Sequence, residues 1–185
     1  MKFSFLSLTI GCSSLLALGL SQSPSIAATV TVHFPRMPKS GENFEHTHTV
    51  RRSTSNPLQD VGALQNLFQG PTRTEIANAP GLEKALPLLP SNACNGQPLP
   101  PGAINAGRFI IKRQIRGSNI AYKIRICKPY ISGGVGSTAI LQTAIRKTLW
   151  ANLKYVSRVK NITQIDIAQP NNQCLGGSGA KLLCL

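Results

Sequence analysis

The sequence predicts an α+β fold: a single compact domain with a mixed or antiparallel sheet of four to five strands and two main helices packed on one face. Two patterns predict these elements. Short runs alternate apolar and polar residues, as strands with one buried face do. Longer runs repeat apolar residues at three- and four-residue steps, as amphipathic helices do. An even number of cysteines beyond residue 27 adds the expectation that disulfides brace the domain.

Two strands are predicted at the start of the domain. In residues 29–34, Val30 and Val32 alternate with polar residues, and Pro35 ends the run because proline cannot continue a strand ladder. Residues 44–53 alternate in the same way. We therefore expect a second strand there.

Two helices are predicted to follow. Asn56 is suited to cap the first helix, with Pro57 at its first position. Gly70-Pro71 ends that helix, and Thr72 and Glu75 have the spacing of a capping box, which predicts a short second helix. The first helix carries an apolar stripe: Leu58, Val61, Leu64, Leu67 and Phe68.

A proline-rich stretch comes next. Residues 80–101 contain prolines and Cys94 but show little periodicity. We interpret residues of about 85–105 as an irregular insertion that its cysteine attaches to the rest of the domain.

A β-hairpin is the clearest prediction. Two strand-like runs flank Gly117-Ser118, and a glycine at the first loop position is typical of a type II′ turn. A two-residue loop places Arg116 opposite Asn119 and Lys112 opposite Lys123. Arg113 then falls on the apolar face beside Tyr122, where we expect its guanidinium to stack on the ring. The apolar face holds Phe109, Ile111, Ile115, Ile120, Tyr122, Ile124 and Ile126.

The opposite face of this hairpin is cationic, with Ile110 as its large apolar exception. We name it the hairpin outer face, and it is our candidate contact surface for an anion or a partner; an ordinary solvated sheet face is the alternative. Its five cations are Arg108, Lys112, Arg116, Lys123 and Arg125.

A long helix is predicted over residues 138–153, with Ser137 as its cap, and a last strand over 159–168. Trp150 is expected at the rim of the helix core stripe. That stripe comprises Ile140, Leu141, Ala144, Ile145, Thr148 and Leu149.

The residues before this helix have the spacing of a dinucleotide fingerprint, Gly134-x-Gly136-x-x-Ala139. No parallel βαβ unit is predicted, and no acid lies about twenty residues further on to bind a ribose. We therefore expect no cofactor.

The charge is strongly basic. Lys and Arg number 20 against 6 Asp and Glu, a formal net charge of +14, and no acid lies between Glu83 and Asp166. Such a surface attracts polyanions. The few acids form no close pair that would suit a glycosidase, and we expect no metal site and no catalytic residue. His46 and His48 are the candidate general bases of a hydrolase alternative.

The N-terminus predicts export. Residues 1–27 have a lysine, an apolar run and a small-x-small pattern before Ala28, which indicates a signal peptide cleaved near Ala27. Lipidation of Cys12 is an alternative. An exported chain favours disulfides, and of three formal pairings we favour Cys94 with Cys127 and Cys174 with Cys184.

The order of these parts resembles the GerMN domain of sporulation, spore-germination and other bacterial envelope proteins. The resemblance rests on the 29–34 strand, Val50-Arg51-Arg52, a hairpin, a second amphipathic helix and Val156-x-x-Val159. Its most specific part is Ala63-Leu64-x-x-Leu67-x-x-Gly70-Pro71-Thr72-x-x-Glu75. Residues 28–185 would form this domain. The sequence departs from the family at the proline-rich insertion and at Ile126-Cys127-Lys128-Pro129.

The resemblance implies a non-enzymatic interaction module. We therefore expect a periplasmic or extracellular protein with no transmembrane segment in the mature chain, which binds another envelope protein or an anionic polymer. Non-specific nucleic-acid binding and homo-oligomer formation are compatible with this view. The alternative is a small secreted hydrolase or nuclease acting on a polyanion.

Overall fold

The computed structural model describes residues 27–36, 40, 46–82, 89–128, 137–156, 158–168, 170 and 174–177. Over these residues it confirms the α+β class, with helices, a two-stranded ribbon and a five-stranded sheet. Residues 1–26 of the predicted leader, with Cys12, and also Cys184 and the glycine-rich loop at 134–136 lie outside the described residues.

The first two strands form the ribbon instead of joining the main sheet. Strand β1 (Ala28–Pro35) pairs antiparallel with β2 (Thr47–Thr54), and Val32 lies opposite Val50. The alternation predicted for β1 is confirmed: Val30, Val32 and Phe34 are fully buried. Because each of these strands buries only one face, the ribbon packs that face against the core that it shares with the helices.

Helix α1 (Gln59–Gln69) begins later than predicted. The Asn56 side chain accepts a hydrogen bond from the Leu58 amide at 2.9 Å, so it stabilises a turn before the helix instead of capping it. The predicted end is confirmed, since Gly70 has a φ of 83° that favours glycine. Helix α2 (Arg73–Asn78) has both halves of the predicted capping box.

The five-stranded sheet has the order β3-β4-β5-β6-β7. The hairpin register is confirmed, with Arg116 opposite Asn119 and Lys112 opposite Lys123, and Gly117 has a φ of 55°. Two short strands were not predicted, β3 and β7. The strands are β3 (Ala103–Asn105), β4 (Phe109–Arg116), β5 (Asn119–Ile126), β6 (Asn161–Ala168) and β7 (Cys174–Gly177).

A parallel crossover corrects one expectation. Strands β5 and β6 are parallel and are joined through helix α3 (Ser137–Asn152) and a 3₁₀ turn at Leu153–Tyr155. No parallel βαβ unit was expected from the sequence, although a strand, a helix and a strand were predicted in this order. The missing ribose-binding acid remains the sequence argument against a dinucleotide.

Side chains of α3 complete the free edge of the ribbon. The Thr148 hydroxyl accepts a bond from the His33 amide at 2.9 Å, and Asn152 Nδ2 donates to the Thr31 carbonyl at 2.9 Å. Thr148 and Asn152 are buried, so these bonds satisfy backbone groups that water does not reach. The predicted α3 core stripe is buried throughout.

Two apolar clusters hold the layers together. The larger joins the ribbon, α1, α3 and the inner face of the main sheet, with the Phe68 and Phe109 rings 5.0 Å apart. The smaller lies on the outer face of the sheet, where Ile110 packs against the predicted Cys94–Cys127 disulfide. This bridge is confirmed, and it explains why Ile110 faces away from the main core. The predicted Cys174–Cys184 bridge stays a prediction.

Candidate binding surface

A buried ion cluster links the hairpin to helix α1. Asp60, which is 1% exposed, accepts hydrogen bonds at Oδ2 from Arg113 Nε at 2.9 Å and from the Tyr122 hydroxyl at 2.7 Å. Burial, and then the neighbouring Asp60 charge, raise the pKa of Tyr122. Arg113 lies beside Tyr122 as predicted, but the two meet through the Asp60 carboxylate and not through ring stacking.

A second internal cation lies at the junction of α1 and α2. Arg52 donates to Glu75 through Nε at 3.1 Å and to the Gly70 carbonyl at 2.9 Å, and its guanidinium lies 4.8 Å from the centre of the Phe34 ring. Burial alone would raise the pKa of Glu75, but the hydrogen bonds from Arg52 and the Thr72 amide lower it below its usual value. The Gly-Pro-Thr-x-x-Glu segment is thus held by Arg52, and its role here is structural.

The third acid of the described residues is also internal. Asp166 is buried on β6 and accepts a 2.7 Å bond from the Gln164 side chain. Burial raises the pKa of Asp166. The charge of Lys123, which is opposite Asp166 on β5, lowers this pKa, and so does the hydrogen bond from Gln164. Each acid of the described residues therefore binds a partner within the domain, and Glu75 is the one of the three that is partly exposed.

The hairpin outer face is partly used by the protein itself. The Arg108 guanidinium donates to the Leu89 carbonyl, and Arg125 Nη2 donates to the Pro98 carbonyl at 2.7 Å. Lys123 adjoins Asp166, while neither Lys112 nor the exposed Arg116 forms an ion pair with an acid of the described residues. Whether this face binds a partner stays a prediction, but two of its five predicted contact residues attach the proline-rich segment to the sheet.

A groove between α3 and β6 presents a different set of groups. We call it the α3 groove; its volume is about 520 Å³. Arg146 is exposed, Trp150 is 53% exposed at one wall, and Ile165 is buried at the base. Its described lining residues are Gln142, Thr143, Arg146, Lys147, Trp150, Asn161 and Ile165.

The α3 groove was not predicted from the sequence. Trp150 was correctly predicted at the rim of the core stripe, but no functional role was predicted for it. A usable signal was present, because Gln142, Arg146 and Trp150 follow one another at four-residue steps and so share a helix face. The wall formed by Asn161 belongs to the predicted last strand, whose parallel pairing with β5 was not foreseen.

The histidines do not meet in one place. His33 Nδ1 lies 3.0 Å from the Thr49 hydroxyl, His46 Nδ1 lies 3.1 Å from Arg36 Nη2, and His48 is opposite Phe34 in the ribbon. Burial, and then the charge of Lys147, lower the pKa of His33. In the part of the chain that the structure describes, no three His, Cys, Asp or Glu residues come close enough to hold a metal ion.

Comparison with family models, curated proteins and solved structures found no match to this chain. The GerMN resemblance therefore stays a prediction. None of the helices in the described ranges is both long and apolar enough to cross a membrane.

Proposed function

We propose that this chain is a non-catalytic, exported protein of the bacterial envelope, a GerMN-like module that binds an anionic polymer through exposed cations. One observation carries the proposal: each described acid binds a partner within the domain, whereas Arg116, Arg146 and Lys160 are exposed. Asp60 and Asp166 are buried, and Glu75 is partly exposed. The formal net charge of the chain is +14, and a positive surface concentrates polyanions near it.

The hydrolase alternative lacks a comparable observation. Its candidate bases, His46 and His48, belong to no cluster of three or more His, Cys, Asp or Glu among the described residues, and the described acids already bind partners within the domain. A protein partner is the other outcome that the resemblance implies. The abundance of exposed cations favours the polymer.

Salt-dependent binding tests the proposal. The purified protein should bind heparin and polyphosphate at about 50 mM salt and release them well before about 1 M, because such binding depends on counterion release. Retention on a heparin column across a salt gradient measures this. A protein that flows through at low salt would contradict the proposal and favour a protein partner.

A matched pair of variants separates surface cations from structural ones. Arg146→Gln should shift elution to lower salt with an unchanged melting temperature, because Arg146 is exposed. Arg125→Gln should lower the melting temperature and shift elution less, since Arg125 bonds to the Pro98 carbonyl. Equal elution shifts for the two variants would mean that the hairpin outer face contributes as much to binding as Arg146 of α3 does.

A further inference from the structure

We infer that the α3 groove is a binding site for an acidic oligosaccharide, a chain of sugar rings that carry carboxylate or sulfate groups. The inference rests on the proposed function and assigns it a location and a ligand class. The volume, about 520 Å³, lies in the range of small-ligand pockets.

The groove combines the three kinds of group that such a ligand requires. Trp150, which is 53% exposed, offers aromatic surface for the apolar side of a sugar ring. Gln142 and Asn161 each supply amide donors and an acceptor for hydroxyl groups, and neither side chain bonds to a described residue. Arg146 supplies a cationic fork for a carboxylate or sulfate.

The surroundings of the groove are also basic. Lys160 precedes Asn161 and is exposed, and both backbone amides donate to the Ser118 carbonyl, at 2.9 and 3.1 Å, which fixes this wall against the hairpin turn. No acid lies among the described lining residues. A neutral sugar would leave Arg146 without a counter-charge, so charge complementarity selects an acidic one.

A single-stranded nucleic acid fits less well. Proteins that bind one without sequence preference stack successive bases on several aromatic rings. Trp150 is the one aromatic residue among the described lining residues, and the neighbouring Tyr155 ring already lies 5.2 Å from the Lys154 ammonium. One ring flanked by amides is better suited to a sugar.

The chain contains one tryptophan, so its fluorescence reports on this groove directly. We would titrate the protein with a heparin-derived tetrasaccharide, a polygalacturonate tetrasaccharide, maltotetraose, tripolyphosphate and oligothymidylate. The two acidic sugars should shift the Trp150 emission saturably, with affinities at least about tenfold above those of maltotetraose and tripolyphosphate. Arg146→Gln and Gln142→Ala should each weaken the acidic sugars, the former by about tenfold, as loss of a charged hydrogen bond implies.

Arg51→Gln is the matched control: it removes an exposed arginine on β2, outside the groove, and should leave these affinities unchanged. An equal response to tripolyphosphate, or a stronger one to oligothymidylate, would overturn the sugar assignment. If the heparin column retains the protein but no sugar changes the Trp150 emission, the groove is wrong and the proposed function stands. If the column does not retain the protein, both fail.

Discussion

The β4–β5 hairpin and helix α3 each combine arginine with an aromatic residue, yet the protein uses them differently. Arg113 and Tyr122 of the hairpin converge on the buried Asp60, and Arg125 bonds to the proline-rich segment. Arg146 and Trp150 of α3 are exposed beside a groove. A cationic pattern therefore indicates which side chains leave the core, but not whether another part of the chain covers them.

The largest expected effect concerns the buried ion cluster of the hairpin. Asp60→Ala should lower the free energy of unfolding by about 3 to 5 kcal/mol, because it leaves Arg113 and the Tyr122 hydroxyl without their buried partner. Urea denaturation measures the loss. Tyr122→Phe is the matched control, since it removes one hydrogen bond and keeps the ion pair; it should cost about 1 kcal/mol. Equal losses for the two variants would mean that the ion pair is unimportant.

Releasing the proline-rich segment from the outer face of the sheet should lower the free energy of unfolding by a smaller amount. Replacing both Cys94 and Cys127 by alanine should cost about 2 to 4 kcal/mol, because the bridge closes a loop across 33 positions. Hydrogen exchange should accelerate in residues 89–102 and at Ile110, while the amides of α3 keep their protection. If α3 loses protection to the same extent, the two regions form one cooperative unit and the comparison does not hold.

The smallest effect is a pH dependence at the contact between α3 and the ribbon. Burial, and then the charge of Lys147, lower the pKa of His33 below its unfolded value of 6.5. Between these two pKa values, the folded state therefore binds fewer protons than the unfolded state. Stability should therefore fall as the pH drops from about 6.5 through the lower folded pKa. Lys147→Gln should raise the His33 pKa in an NMR titration. An unchanged titration would show that burial alone sets it.

Much of the fold follows from local patterns. Gly117-Ser118 determines the hairpin register because a two-residue loop allows one pairing, and Thr72 with Glu75 marks a helix start through bonds between near neighbours. Asn56 misled the prediction because the same side chain can cap a helix or a preceding turn. Strands β3 and β7 are too short to show an alternation.

The candidate site was less accessible to sequence reasoning because it depends on distant pairings. Asp60 and Arg113 are 53 positions apart, and nothing local signals that they meet. Arg125 was correctly placed on the outer face, but its partner, the Pro98 carbonyl, lies in a segment without periodicity. The α3 groove requires β6 to lie parallel to β5; the predicted order of strand, helix and strand is compatible with this pairing but does not determine it.

Amide shift mapping by NMR tests the central claim, that α3 and not the hairpin outer face provides the binding surface. On addition of the heparin-derived tetrasaccharide, we expect the largest shifts at the Trp150 indole N–H, at residues 142–147 and at Asn161. Shifts confined to Lys112, Arg116 and Lys123, with the indole signal unmoved, would contradict this account and assign binding to the hairpin.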